Sequence, residues 1–258
     1  MELPENVDPN VKRVVVGIPL KGHTPPQSYH DRLLMAYYMG AREYKDEYHK
    51  IAPRYQFVWL NVGEIFVPFA REMLAVKSLE LKADYLFMID DDMMAPVDVF
   101  YRLVKHDVDL VAPLAFTRNA PHRAVMFSTI EGFDQVMGKP YSINNPVHNY
   151  PRNKLVECDA VGFGAALIKT EILKKMKPPY FMGSHGTGED IHFCLTAKKL
   201  GFRVFMDTAT KLGHLSNPII VTEEYSDHFN KLSQTEKDKF YGEYVKYAPT
   251  DTVKPQVP

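Results

Sequence analysis

The sequence predicts an α/β protein with a mostly parallel central sheet flanked by helices. Two observations predict it. Strand-like and helix-like segments alternate from residue 11 to residue 116, and the strand segments are continuously apolar instead of alternating. Strands of that kind are covered on both faces, the usual state of a parallel sheet. At 258 residues, 45% apolar and 24% charged, the chain has ordinary globular composition. It is long enough for one α/β domain with an enclosed site.

The elements follow in order. Residues 11–19 form the first strand, built on the β-branched run Val14-Val15-Val16, and a loop carrying Gly22 and the Pro25-Pro26 pair ends it. A helix begins near Ser28 and runs through Leu33, Leu34, Tyr37 and Tyr38, and residues 55–62 form the second strand. Pro68 opens the next helix, with Ala70, Met73, Leu74 and Leu81 on one face. Residues 85–89 form a third buried strand, cut off by Asp90-Asp91-Asp92. Pro96 fits the first position of a helix reaching about His106, and residues 110–116 form a fourth strand. After Arg118 the chain becomes rich in Pro, Gly and Asn, which reads as hairpins and an irregular excursion over 117–160. Residues 165–168 read as a strand, 187–200 as a helix, 204–206 as a short strand, and the tail from Thr222 as polar helix. The whole chain reads as a single domain: a ligand-binding half over about 11–118, a catalytic half over about 119–220, and a helical tail over 221–258.

The formal net charge of -1 argues against a nucleic-acid partner, which normally needs a basic surplus. No apolar run approaches the ~20 residues of a membrane span, and the N-terminus lacks the basic and apolar regions of a secretory signal. The cysteines are Cys158 and Cys194; reduced thiols in a cytoplasmic compartment are expected.

The acidic triplet Asp90-Asp91-Asp92 lies at the carboxyl end of a buried strand, where open parallel sheets bind ligands. Adjacent carboxylates raise each other's pKa unless a cation neutralises them. Alternation at a strand end would point Asp90 and Asp92 to one ion, and carboxylate oxygens suit Mg²⁺ or Mn²⁺. The competing reading is an acidic turn that favours the dipole of the following helix. Farther on, Gly186-Thr187-Gly188-Glu189-Asp190 introduces a helix that stops at Gly201. Thr187 with Asp190 resembles a capping box, while the glycines would let the backbone pass close to a ligand. His214, after Lys211-Leu212-Gly213, is an ordinary turn residue unless it meets the acids. Gly162-Phe163-Gly164 lacks the third glycine of a dinucleotide fingerprint, and there is no P-loop, nucleophile elbow or zinc-ligand spacing.

Taken together, Pro68-Phe69-Ala70-Arg71-Glu72, the run from Ala83 to Asp92, and Gly188-Glu189-Asp190-Ile191-His192-Phe193-Cys194 resemble the GT-A glycosyltransferases, particularly the family 2-like branch, from Val14 to about Leu215. The resemblance makes the triplet a DxD motif. It implies that Asp92 binds the divalent metal, that Asp90 or Asp91 contacts the ribose or the metal's waters, and that Arg71 faces the nucleotide. It also implies Asp190, beside Glu189, as general base and His214 as third metal ligand. Pro19, Lys21 and Asn61 complete the expected donor contacts. A UDP-sugar is favoured and a GDP-sugar is possible; Asn61 departs from the Asp with which many members read uracil, which leaves the base open. The implied reaction moves a sugar from this donor to a saccharide or other hydroxyl acceptor, with inversion if Asp190 is the base. Three rivals remain at this level: a sugar-phosphate nucleotidyltransferase, a metal-dependent phosphohydrolase, and a non-catalytic carbohydrate-binding module.

Overall fold

The computed structural model describes residues 10–22, 24–44, 54–63, 65–134, 139–183, 187–216, 219–237 and 239. Gly186 and the expected helical tail beyond residue 239 lie outside them. The elements are β1 (Lys12–Pro19), α1 (Pro26–Glu43), β2 (Tyr55–Val62), α2 (Val67–Glu80), β3 (Tyr85–Ile89), β4 (Met93–Met94), α3 (Val99–Val104) and β5 (Leu110–Leu114). There follow β6 (Met126–Asp134), β7 (Lys139–Pro146), β8 (Leu155–Cys158), β9 (Ala160–Val161), β10 (Ala165–Lys169), α4 (Thr170–Lys175) and α5 (Glu189–Lys199). The last are β11 (Val204–Lys211), β12 (Gly213–Ser216), β13 (Ile219–Val221) and α6 (Glu223–Lys231).

A 7-stranded sheet runs in the order β2-β1-β3-β10-β5-β11-β8. β1 pairs in parallel with β2 and β3, and β11 pairs in parallel with β5. β10 runs antiparallel to both β3 and β5, which makes those two parallel to each other. β8 closes the far edge antiparallel to β11. The chain therefore adopts the expected α/β architecture, a central sheet with five strands running one way and helices on both faces, with one feature the order of segments does not reveal: an antiparallel strand inserted between β3 and β5.

Why the strands read as continuously apolar is visible in the packing. Val15, Leu86, Met88 and Ala166 join Leu74, Ala75 and Phe193 on the face covered by α2, α4 and α5. Val14, Val16, Phe87 and Ala165 join Met35, Met39, Phe100 and Leu103 on the face covered by α1 and α3. Both side-chain sets of one strand are thus core. Two expectations need correction. The helix placed from Pro96 to His106 is only Val99–Val104, because Met93 and Met94 are drawn into strand pairing with β12 and the chain turns at 97–98. The strand expected at 204–206 extends to Lys211, its register shifting at a bulge between Asp207 and Lys211.

Asp207 staples that bulge. Its carboxylate accepts from the Thr210 hydroxyl (2.7 Å), the Ala209 amide (3.0 Å) and His106 Nε2 (3.1 Å). Burial opposes its charge, but the hydrogen bonds of His106, Thr210 and Ala209 outweigh it and hold the carboxyl below its ordinary value. A carboxyl with a depressed folded pKa contributes stability that is present above its unfolded value of about 4 and lost as pH falls through the folded one. Asp207→Asn is expected to cost about 2–3 kcal/mol at neutral pH, and less at pH 3. Thermal melts across that range check it; a cost independent of pH would count against the charged bonds.

Candidate active site

The five mutually parallel strands end at one edge of the sheet, and the segments that follow them converge there. Pro19 ends β1 and Lys21 follows it, Val67 opens the helix after β2, Asp90, Asp91 and Asp92 follow β3, Arg118 and Asn119 follow β5, and His214 follows β11. All of them line one cleft of about 380 Å³. Ligand sites form outside the carboxyl ends of such strands because the backbone there leaves the sheet and its side chains are released from packing.

The three carboxylates point three ways, since the strand ends at Ile89 and the backbone turns through 91–92. Asp90 faces Arg71, whose Nη2 donates to both its oxygens, at 2.7 and 2.9 Å. Asp91 accepts from the Lys21 amide at 2.9 Å. Asp92 accepts from Arg118 Nη2 and lies 3.5 Å from His214 Nε2. The meeting of Asp92 and His214 is made by β4 and β12, which pair Met93 with His214 while the Leu215 amide donates to the Asp92 carbonyl.

The tautomer of His214 follows from its other nitrogen. Nδ1 lies 2.8 Å from the Phe116 carbonyl, which can only accept, so Nδ1 carries the proton and Nε2 presents a lone pair towards Asp92. Burial pushes the imidazole pKa below its ordinary value, favouring that neutral form. A histidine fixed through one nitrogen with the other free to coordinate is the usual posture of a metal ligand. Among the described residues no group of three or more His, Cys, Asp and Glu side chains is gathered as a metal cage. One carboxylate and one imidazole nonetheless fit Mg²⁺ or Mn²⁺, whose remaining positions are commonly filled by water and substrate phosphate.

Behind the cleft, Arg71 joins the two acidic motifs. Its guanidinium, 4% exposed, pairs with Asp90 and Glu189 and donates to the Phe163 carbonyl. Burial opposes its charge, and Asp90, Glu189 and Asp190 together more than restore it, raising its pKa. Asp190 accepts from the Ile191 amide (2.8 Å) and the Phe163 amide (3.4 Å). No capping box forms: the N-cap of α5 is Gly188, without a side-chain cap. Gly162-Phe163-Gly164, no nucleotide fingerprint, is the tight turn into β10. A Cβ on Gly164 would lie 2.6 Å from Met93 Cε, so any side chain there would oblige the buried Met93 thioether to shift. Asn61 lies exposed on the outermost strand and does not line the cleft.

Sequence reasoning missed two arginines. Arg118 carried one usable signal: it follows a buried parallel strand, as the triplet does. Arg32 carried none. It is buried in α1 and donates to the carbonyls of Ser28, Asp90 and Met93, while the Ser28 hydroxyl donates to the Asp91 carbonyl. Together they hold the backbone of the triplet turn from below.

Among solved structures, A197 from STIV matches with a TM-score of 0.53 and 20% identity, over 81% of this chain and 93% of that one. GalNAc-T7 with UDP, GalNAc and Mn²⁺ matches with a TM-score of 0.47 and 14% identity, over 80% of this chain and 44% of that one. A putative glucose-1-phosphate thymidylyltransferase from Bacillus anthracis in complex with a sucrose matches at 0.44 and 9% identity, over 85% and 96%. No protein-family model and no curated protein matches the sequence. The likeness to A197 is one of fold. Among the described residues no helix is long and apolar enough to cross a membrane.

Proposed function

We propose that the chain is a metal-dependent glycosyltransferase that moves a sugar from a nucleotide-diphosphate sugar to an acceptor hydroxyl. The observation that carries this reading is the meeting of Asp92 with the Nε2 lone pair of His214 in a cleft at the carboxyl edge of the sheet. Asp92 and His214 would hold Mn²⁺ or Mg²⁺, which supplies charge neutralisation for the departing diphosphate. Pro19 and Lys21 wall the donor side of the cleft. The Lys21 side chain adds positive charge, and its amide fixes Asp91. Arg71 sets Asp90 and Glu189 in place, and Asp190 takes the acceptor's proton, which makes the reaction inverting.

One detail favours transfer over nucleotidyl chemistry. A phosphate-cradling loop after β1 would aim its amides at the phosphates, whereas the Lys21 amide is committed to Asp91. The direct test is incubation with nucleotide sugars and Mn²⁺, reading released nucleoside diphosphate; a nucleotidyltransferase would release pyrophosphate from a nucleoside triphosphate instead.

Metal dependence is tested by calorimetric titration of UDP or GDP with Mn²⁺ and again with EDTA. Binding is expected only with the metal, and equal affinity in both would remove this reading. His214→Ala should weaken Mn²⁺ binding about 10–100-fold, with the melting temperature as a control for folding. An unchanged metal affinity would return His214 to a purely structural place between β12 and β5.

A further inference from the structure

Three arginines surround the triplet, and only one of them is free to leave. Arg32 and Arg71 are buried and held by carbonyls and carboxylates. Arg118 has a side chain 43% exposed and stands on the loop that follows β5. Its Nη2 donates to Asp92 Oδ2, and its Nε lies 3.4 Å from His214 Nε2. Those two atoms are the lone-pair donors that the metal reading assigns to the divalent cation.

A guanidinium has only donors, so in this posture Arg118 satisfies the carboxylate oxygen and the imidazole nitrogen together, as a cation between them. A divalent ion bound to the same two atoms would take their lone pairs and repel the guanidinium. Both cannot stay. Arg118 would then be left, with its neighbour Asn119, facing a cleft whose other occupant is a diphosphate. Its planar fork matches phosphate oxygens two at a time.

We propose that Arg118 is a displaceable internal cation: it holds Asp92 and His214 together until a divalent ion enters, then turns onto the diphosphate of the nucleotide. This rests on the metal reading above and adds a residue and an order of events to it. Two effects of opposite sign follow. Arg118→Ala removes a competitor, so Mn²⁺ alone should bind roughly 3- to 10-fold more tightly, the scale of one partly exposed ion pair. The same change removes a phosphate contact, so UDP at saturating Mn²⁺ should bind roughly 10-fold more weakly. A side chain that merely braced the loop would move both affinities in the same direction.

The experiment measures Mn²⁺ uptake by the full chain without nucleotide, from the electron paramagnetic resonance signal of free Mn²⁺, and then UDP affinity at saturating Mn²⁺ by calorimetry. Arg118→Gln, which keeps the length and a donor, is measured beside Arg118→Ala so that a folding failure in one is caught by the other. Tighter Mn²⁺ with weaker UDP supports the displacement. Mn²⁺ affinity unchanged or weakened in both variants overturns it while leaving the metal reading intact. No Mn²⁺ uptake by wild type or variants, together with UDP binding that is the same with Mn²⁺ as with EDTA, overturns the metal reading and the displacement together.

Discussion

Asp190→Asn should lower the rate of sugar transfer roughly 10²–10⁴-fold, the contribution usual for a positioned general base. The substitution keeps an oxygen that can accept from the Ile191 amide, now 2.8 Å from the carboxylate, and removes the ability to take a proton. Asp190 is the second residue of α5 and not its N-cap, so the lost charge forfeits mainly its interaction with the helix dipole, and stability should change by less than about 1 kcal/mol. Donor binding should hardly move. Asp190 is not among the residues that line the cleft; its carboxylate accepts from the Phe163 amide, and the Phe163 carbonyl accepts from Arg71. Melting temperature, affinity for UDP with Mn²⁺ and single-turnover rate together separate chemistry from structure. A variant transferring sugar at near wild-type rate would end the base assignment, and a retaining or substrate-assisted route would replace it.

Arg71→Met is expected to cost about 3–5 kcal/mol of stability, because it leaves Asp90 and Glu189 largely enclosed without their cation. Met matches much of the bulk, so the loss reports charge more than volume. Arg71→Lys keeps the charge but cannot serve Asp90, Glu189 and the Phe163 carbonyl at once, and should fall between. Burial pushes the Asp90 carboxyl above its ordinary value against the pull of Arg71, so without Arg71 the group should take up a proton instead of staying charged. Combining Arg71→Met with Asp90→Asn should therefore recover part of the loss, a coupling readable in a double-mutant cycle of urea unfolding. A single-variant cost below about 1 kcal/mol would show that the pair is solvated and the two motifs stand independently.

Much of the architecture was legible because burial on both faces leaves a local mark. Val14-Val15-Val16 and the run from Tyr85 to Ile89 are apolar without interruption since α1 and α3 cover one face and α2, α4 and α5 the other. The pair β4 and β12 was not legible. Two to four residues carry no period, and Met93-Met94 reads as well for the start of a helix as for a strand. The insertion of β10 between β3 and β5 was hidden for a related reason: strand order is a choice among distant partners, and Ala165–Lys169 has the same apolar composition whichever neighbours it takes.

The sequence by itself determined the α/β class, the position of the acidic triplet at a strand's carboxyl end, and the start of α5 at the Gly-Glu-Asp segment. Each depends on neighbours within a few residues: side-chain period, a strand stop, a helix start. Only the tertiary structure decided which partner each carboxylate faces. Asp90 took Arg71 from α2, Asp91 took the Lys21 amide after β1, and Asp92 took His214 and Arg118 from segments 122 and 26 positions away in the chain. Charge and hydrogen bonding act through space over a few ångströms, so partners of this kind are set by strand order and register, which no local pattern records.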